Sequence, residues 1–228
     1  MIAAIVTGST ETHLVALNQG SDVAAYQSIH KQVIKPFLVL QDDAQNAGFD
    51  LQICSGFRSF DRQLNIWNGK VSGMRPVMDS FGYPLNIQEL DAWKKIQAIL
   101  RWSALPGASR HHWGTDFDVY DARPMPEGYQ IQLTPEEVQG DGLFAPMHSW
   151  LDEYLSSGES EFYRPYEFDK GGIAPERWHL SYRPIANQYA QSLTRDLIAK
   201  RLQESDLMLL DVVLEQLDDI LHRYVLVD

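Results

Sequence analysis

Two short stretches hold the side chains best suited to chemistry. Residues 109–121 read SRHHWGTDFDVYD and set two adjacent histidines, a glycine and three aspartates close together without a lysine. Residues 176–179 read ERWH, a carboxylate three positions ahead of a histidine. A helical zinc site of the H-E-x-x-H type pairs histidines four residues apart, and that motif is absent. Another arrangement is open. Gly114 permits a sharp turn after His111, so a strand starting just beyond it can bring Asp118 back to the same point, giving one nitrogen and one oxygen ligand. His179 is the best third ligand. Zinc hydrolysis uses three protein ligands, leaves one position for water, and needs a nearby base, a role open to Glu176. Ligand spacing alone does not separate such a centre from a polar turn leading into a strand.

The surrounding pattern must place these groups. Residues 116–120 alternate, with Phe117 and Val119 on one face and Asp116 and Asp118 on the other, projecting away from the core. WHLSY at 178–182 alternates likewise, setting Trp178, Leu180 and Tyr182 opposite His179 and Ser181. EFYRPYEF, 161–168, reads as a further strand. Residues 23–54 read as a helix then a strand, with Pro36 near the first helical turn and Gly48 ending the helix before the β-prone run 49–54. A second helical pattern spans 86–102 through Ile87, Leu90, Trp93, Ile96, Ile99 and Leu100. Thr134, Pro135 and Glu137 carry a capping-box signature. From Pro184 onward leucines recur at helical spacing, which predicts two helices. The fold expected is α+β: a small antiparallel sheet carrying the metal site, flanked by helices, with an extra C-terminal helical segment at 184–228 packed on the same domain as residues 1–183.

Composition excludes several alternatives. The 228 residues carry 19 basic and 31 acidic side chains, a net charge of −12; this balance repels phosphate backbones and anionic lipid, so neither nucleic acid nor membrane is an expected partner. The single cysteine, Cys54, rules out an intramolecular disulfide and a thiolate-rich zinc site. It reads as a buried, inert thiol. MIAAIVTGSTETHL has no basic region and too short an apolar run for an export signal, so the expectation is a cytoplasmic chain, or a periplasmic one if it has been processed. No run approaches the roughly 18 apolar residues of a membrane span.

SRHHWGTDFD resembles the S-x-H-x-x-G-x-A-x-D signature, and ERWH the E-x-W-H signature, of the VanY-like zinc D-alanyl-D-alanine carboxypeptidases, in the peptidase M15 group. That family lies within the wider lysostaphin, D-Ala-D-Ala peptidase and Hedgehog-like group. SGFRSFDRQ, 55–63, resembles the same family's S-G-Y-R-S-x-x-x-Q stretch. The resemblance implies one zinc per chain on His111, Asp118 and His179, with Glu176 as catalytic base. It implies that Arg58 grips the substrate and stabilises its oxyanion or terminal carboxylate, and that Gln63 and Ser109 contact substrate. A guanidinium suits that grip because it holds a carboxylate through two hydrogen bonds.

The implied reaction removes the C-terminal D-alanine from peptidoglycan-type peptides, whose stem peptides or fragments would be the partners; oligomeric state is left open. An L,D-carboxypeptidase or an endopeptidase on the same stem peptides is the alternative within this chemistry. A non-catalytic zinc-containing peptidoglycan-binding module is the alternative outside it. Two departures from the family pattern stand out: Phe57 replaces the usual tyrosine, and Asp116 stands where alanine is common. Asp116 has three open roles: support of the metal from behind, a salt bridge to a nearby arginine, or competition with Asp118 as ligand.

Overall fold

The computed structural model describes residues 1–17 and 28–226. Its strands are β1 (Leu14–Ala16), β2 (Ser28–His30), β3 (Leu51–Ser55), β4 (Asp116–Asp121), β5 (Phe162–Tyr163) and β6 (His179–Tyr182). The helices are α1 (Ile2–Val6), α2 (Ile34–Asn46), α3 (Phe60–Val71), α4 (Ala92–Leu100), α5 (Pro135–Val138) and α6 (Ala145–Ser156). A helical C-terminal part follows: α7 (Arg183–Ser192), α8 (Arg195–Gln203), α9 (Leu210–Glu215) and α10 (Leu217–Ile220), closed by a π turn over Leu221–Val225. Among the described residues no helix is long and apolar enough to cross a membrane.

The main sheet is antiparallel, in the order β3-β4-β6-β5. β4 is central because its alternation feeds two environments. Phe117 and Val119 enter the main core, where Phe117 meets Phe37 of α2 and Phe162 of β5 edge-on at 5.2 and 5.9 Å. Burying a phenylalanine of this kind contributes roughly 2–3 kcal/mol. The opposite face is polar, as expected, but it is not turned to solvent: Asp116 and Asp118 are both buried. Register does the rest. Asp118 pairs with His179 on one side and Ser55 on the other, and Asp116 pairs with Ser181. Directly opposed residues share a face with their Cβ atoms about 5 Å apart. A one-residue slip of β6 would send His179 to the core and dismantle the site.

A two-stranded ribbon, β1 with β2, lies against the turn that leads into β4, where His30 N donates to Gly114 O at 2.7 Å. Gly114 has φ 65°, and a Cβ there would lie 2.4 Å from Leu14 Cδ2. The turn therefore requires glycine both for its conformation and for its close neighbours.

Several elements differ from the sequence expectation. Residues 23–27 of the expected first helix lie outside the described residues, Ser28–His30 is strand, and α2 begins at Ile34 with Pro36 in its first turn, where a missing N–H costs nothing. The stretch 86–102 divides into a 3₁₀ turn at Ile87–Glu89 and α4, because Asp91 caps a new helix through Lys94 N. In EFYRPYEF only Phe162–Tyr163 is strand; Arg164 turns into an ion cluster and Pro165 has no N–H for the ladder. Trp178 precedes β6 and packs with Val138 and Phe144 in a separate small cluster. The capping box at Thr134 and Glu137 is present, on a helix of one turn.

The two helices expected after Pro184 are four. Thr194 restarts the chain by accepting from Leu197 N, and Leu209 at φ 62° breaks it again. The apolar stripe continues across these breaks: Ile198, Leu202, Val213, Leu217 and Ile220 are fully buried in the same core cluster as the sheet. Trp67 of α3 donates its indole N–H to Met208 O at 3.0 Å, and Asn68 bonds Asp206 O and Met208 N.

Candidate metal centre

His111 sits in a 3₁₀ turn, Arg110–Trp113, ended by left-handed Gly114. That turn is stitched to the SGFRS loop: Arg58 N donates to His111 O, and the His112 ring lies 2.6 Å from Arg58 O. His112 thus joins two loops, with Gly107 N donating to its other nitrogen. His111 Nδ1 faces Gly56 O at 2.9 Å. A carbonyl only accepts, so the ring proton belongs on Nδ1 and Nε2 keeps its lone pair. His179 is set the opposite way. Its Nε2 faces Asp116 Oδ1 at 3.3 Å, so the proton belongs there and Nδ1 keeps the lone pair.

Both free nitrogens converge on Asp118. His111 Nε2 lies 3.5 Å from Asp118 Oδ2, and His179 Nδ1 lies 3.2 Å from Asp118 Oδ1. The second pair is out of hydrogen-bonding alignment, leaving both atoms buried without a partner. Among the described residues, His111, Asp118 and His179 form a group whose ligand atoms all lie within 4.8 Å of one another. Two imidazole nitrogens and one carboxylate, with His179 Nδ1 and Asp118 Oδ1 buried and orphaned, fit a divalent metal such as zinc. With no metal bound, burial opposes charge on His179, yet Asp116 and Asp118 outweigh it and push its pKa up to about 9, so Nδ1 then carries a proton that a metal would displace. His111, where burial dominates, falls to about 3.

Both Asp116 oxygens are engaged away from the His111, Asp118 and His179 group. Arg110 Nε donates to its Oδ1 at 2.7 Å and Thr115 Oγ1 to its Oδ2 at 2.7 Å, while Arg110 Nη2 also reaches Tyr163 and Ser181. Burial would raise this carboxyl, but Arg110 holds it well below the usual carboxylate range. Asp116 therefore fixes the His179 ring from behind. Asp116→Asn is expected to weaken metal binding about 10- to 100-fold, with some loss of stability because Arg110 loses its counter-charge; competition with a chromophoric chelator on protein still folded by circular dichroism measures this, and unchanged affinity would remove Asp116 from that role.

Glu176 occupies a turn in which its N donates to Tyr166 O and its O accepts from His179 N. Its Oε2 is 3.7 Å from His179 Nδ1. Burial pushes its pKa up to about 7. The turn is clamped from outside, because Asp152 of α6 pairs with both Arg164 and Arg177, and Arg164 Nε donates to Arg177 O at 2.7 Å.

A cavity of about 660 Å³ opens over these groups, lined by His111, Asp118, His179, Glu176, Arg58 and Ser109 among others. Arg58 donates through Nη1 to Gln63 at 2.9 Å and through Nη2 to Ser55 at 3.3 Å, while its Nε is buried without a partner. Ser109 Oγ is also buried and unpartnered. Gln63 departs from the expectation of a substrate contact: it is wholly buried, its amide donates to Ala104 O at 2.7 Å, and it orients Arg58 from behind the cavity wall. The sequence reading missed Lys70, Arg75 and Trp102, which also line the cavity. Lys70 had one signal, its position seven residues beyond Gln63 on a shared helix face.

Cys54 sits at the irregularity between Ile53 and Ser55 of β3, half-buried, with its thiol pushed up to about 12 by burial and then by Asp118 and Glu137. Only the thiolate attacks disulfides. At pH 8 the folded chain is expected to react with an aromatic disulfide reagent far more slowly than the urea-unfolded chain; equal rates would contradict an inert thiol.

Comparison with known proteins agrees with this geometry. The sheet and helices are similar to those of VanYB in complex with D-alanine-D-alanine, at a TM-score of 0.50 and 23% identity over 83% of this chain and 87% of that one. They are also similar to the LdcB LD-carboxypeptidase, at 0.52 and 21% identity over 80% and 75%. An uncharacterized protein of Haemophilus influenzae is 44% identical over 101 residues, 44% of this chain and 68% of its own length. A second from the same organism is 28% identical over 123 residues, covering 53% and 92%. The fold is thus that of a group of peptidases built around a small antiparallel sheet. Residues 26–185 match the VanY D-alanyl-D-alanine carboxypeptidase family, and the chain belongs to it.

Proposed function

We propose that this chain is a zinc-dependent D-alanyl-D-alanine carboxypeptidase that releases the C-terminal D-alanine of peptidoglycan-type peptides. The observation that carries this reading is the convergence of two lone-pair nitrogens on Asp118, beside a carboxyl poised near neutrality and inside one cavity. His111, Asp118 and His179 hold the metal. Zinc supplies Lewis acidity when bound, polarising a carbonyl and acidifying water. Glu176 accepts the proton of the attacking water and delivers it to the departing amine, and a pKa of about 7 suits both transfers. Arg58 Nε and Ser109 Oγ, buried donors without partners, receive the oxygens of the substrate's terminal carboxylate or oxyanion. Gln63 serves them by holding Arg58. Residues 1–183 act as the peptidase unit, and the segment from 184 onward, helical in its described residues, is an extension packed on it.

A binding module that kept zinc only for structure would have no use for the Glu176 and Arg58 arrangement. The test is amino-acid release from synthetic stem pentapeptide and tetrapeptide by zinc-loaded protein, with a chelator control. Chelator-sensitive D-alanine release from the pentapeptide alone is the expected result. Release from the tetrapeptide alone would move the reading to L,D-specificity, and release from neither would overturn it.

A further inference from the structure

Two cations in the cavity have no part in the reaction as derived. Lys70 lies on α3 two turns beyond Gln63, and helix side chains lean toward the N-terminus, which carries Lys70 over Ile66 in the direction of Arg58. Arg58, Ile66, Lys70 and Arg75 all line the cavity. Arg75 reaches it because of a glycine inside the helix. A Cβ on Gly69 would lie 3.0 Å from Arg75 Cδ and 3.1 Å from Cγ, and Arg75 N donates to Gly69 O at 2.8 Å. A mid-helix glycine is unfavourable relative to alanine, so a packing reason of this kind accounts for it.

Neither Lys70 nor Arg75 has a hydrogen bond or ion pair to its side chain among the described residues. Lys70 is half-buried and crowded by Arg58 and Arg75, with Glu176 as its one opposing charge; burial first, then Arg58, brings its pKa down to about 8. Three cations on one wall, in a chain of net charge −12, repel one another unless an anion arrives. The deep end of the cavity, at Arg58 Nε and Ser109 Oγ, already accounts for the terminal carboxylate. Lys70 is only partly covered and Arg75 is exposed, so they sit further out, along the part of the peptide that stays after cleavage. An extended peptide advances about 3.4 Å per residue, so the Cα of the residue preceding the D-alanine pair lies about 5 Å from the scissile bond, on the side of the peptide that stays.

We propose that Lys70 and Arg75 form a second anion subsite, selecting peptides whose residue before the D-alanine pair carries a free side-chain carboxylate over those in which that group is an amide. The inference rests on the peptidase reading for the direction of the peptide. Its test is binding, measured by calorimetry on the zinc-loaded Glu176→Gln chain, with two peptides differing only in that carboxylate or its amide. The acid is expected to bind about 10- to 100-fold more tightly, as charge-assisted hydrogen bonds do. Lys70→Met and Arg75→Gln should each narrow the ratio, and Lys70→Arg should keep it. Arg75 is exposed, so its variant reports even if Lys70→Met fails to fold. Equal binding of the two peptides, or a ratio that a folded Lys70→Met and Arg75→Gln both leave unchanged, would overturn the subsite. Hydrolysis by the unsubstituted chain is scored separately. Release without acid preference removes the subsite alone, and acid preference without release removes the chemistry alone.

Discussion

Glu176→Gln should bind zinc stoichiometrically and lose turnover by about 10²- to 10⁴-fold or more, the usual worth of a positioned general acid and base. The amide matches the carboxyl in size but cannot accept the proton of the attacking water. The metal should stay, since Glu176 is not needed to hold any ligand in place: His111 is fixed by Gly56 O, His179 by Asp116, and Asp118 by the β4–β6 register. His179→Ala gives the contrasting result, losing metal and activity together. Metal content by mass spectrometry beside D-alanine release separates the two variants. A Glu176→Gln protein retaining more than a tenth of the parent kcat/KM would end the assignment of the base.

The second large effect is on stability. Arg110 and Asp116 are 2.7 Å apart with side-chain exposures of 3% and 0%. Their mutual attraction is largely offset by the cost of taking both from water, so the pair itself contributes little net stability. Breaking it is a different matter. Arg110→Met leaves the Asp116 carboxylate buried with Thr115 and His179 only, and strips Tyr163 and Ser181 of their shared donor. The expected loss is about 3–5 kcal/mol, which lowers Tm by roughly 10 °C in a chain of this size. Arg110→Met with Asp116→Leu should recover much of this, because no lone charge remains. A single variant melting within about 2 °C of the parent would show that Asp116 finds another partner.

What could be read from the sequence follows from how local each signal was. The β4 alternation is local, so the division of Phe117 and Val119 from Asp116 and Asp118 was legible; that both faces would be covered was not, since covering comes from α2 on one side and the cavity walls on the other. The grouping of His111, Asp118 and His179 was legible only once the three motifs were taken together, because their convergence depends on the β4–β6 register. The tautomers of the two histidines were invisible, being set by Gly56 and Asp116 across long stretches of chain. Gln63 had the right position in its motif and a different task, since a motif records where a residue stands but not which way its amide turns. β1 and β2, at three residues each, are too short to show a period, and the C-terminal stripe of leucines concealed the breaks at Thr194 and Leu209.

The bond from Trp67 to Met208 gives α3 two loyalties. One of its faces presents Lys70 to the cavity and supports Arg58 through Gln63, and the other is tied at Trp67 and Asn68 to the stretch joining α8 and α9. A chain cut short before Asp206 would leave an indole N–H stranded in apolar surroundings and free this wall of the cavity. The tail thereby bears on the shape of the cavity, though none of its described residues lines it.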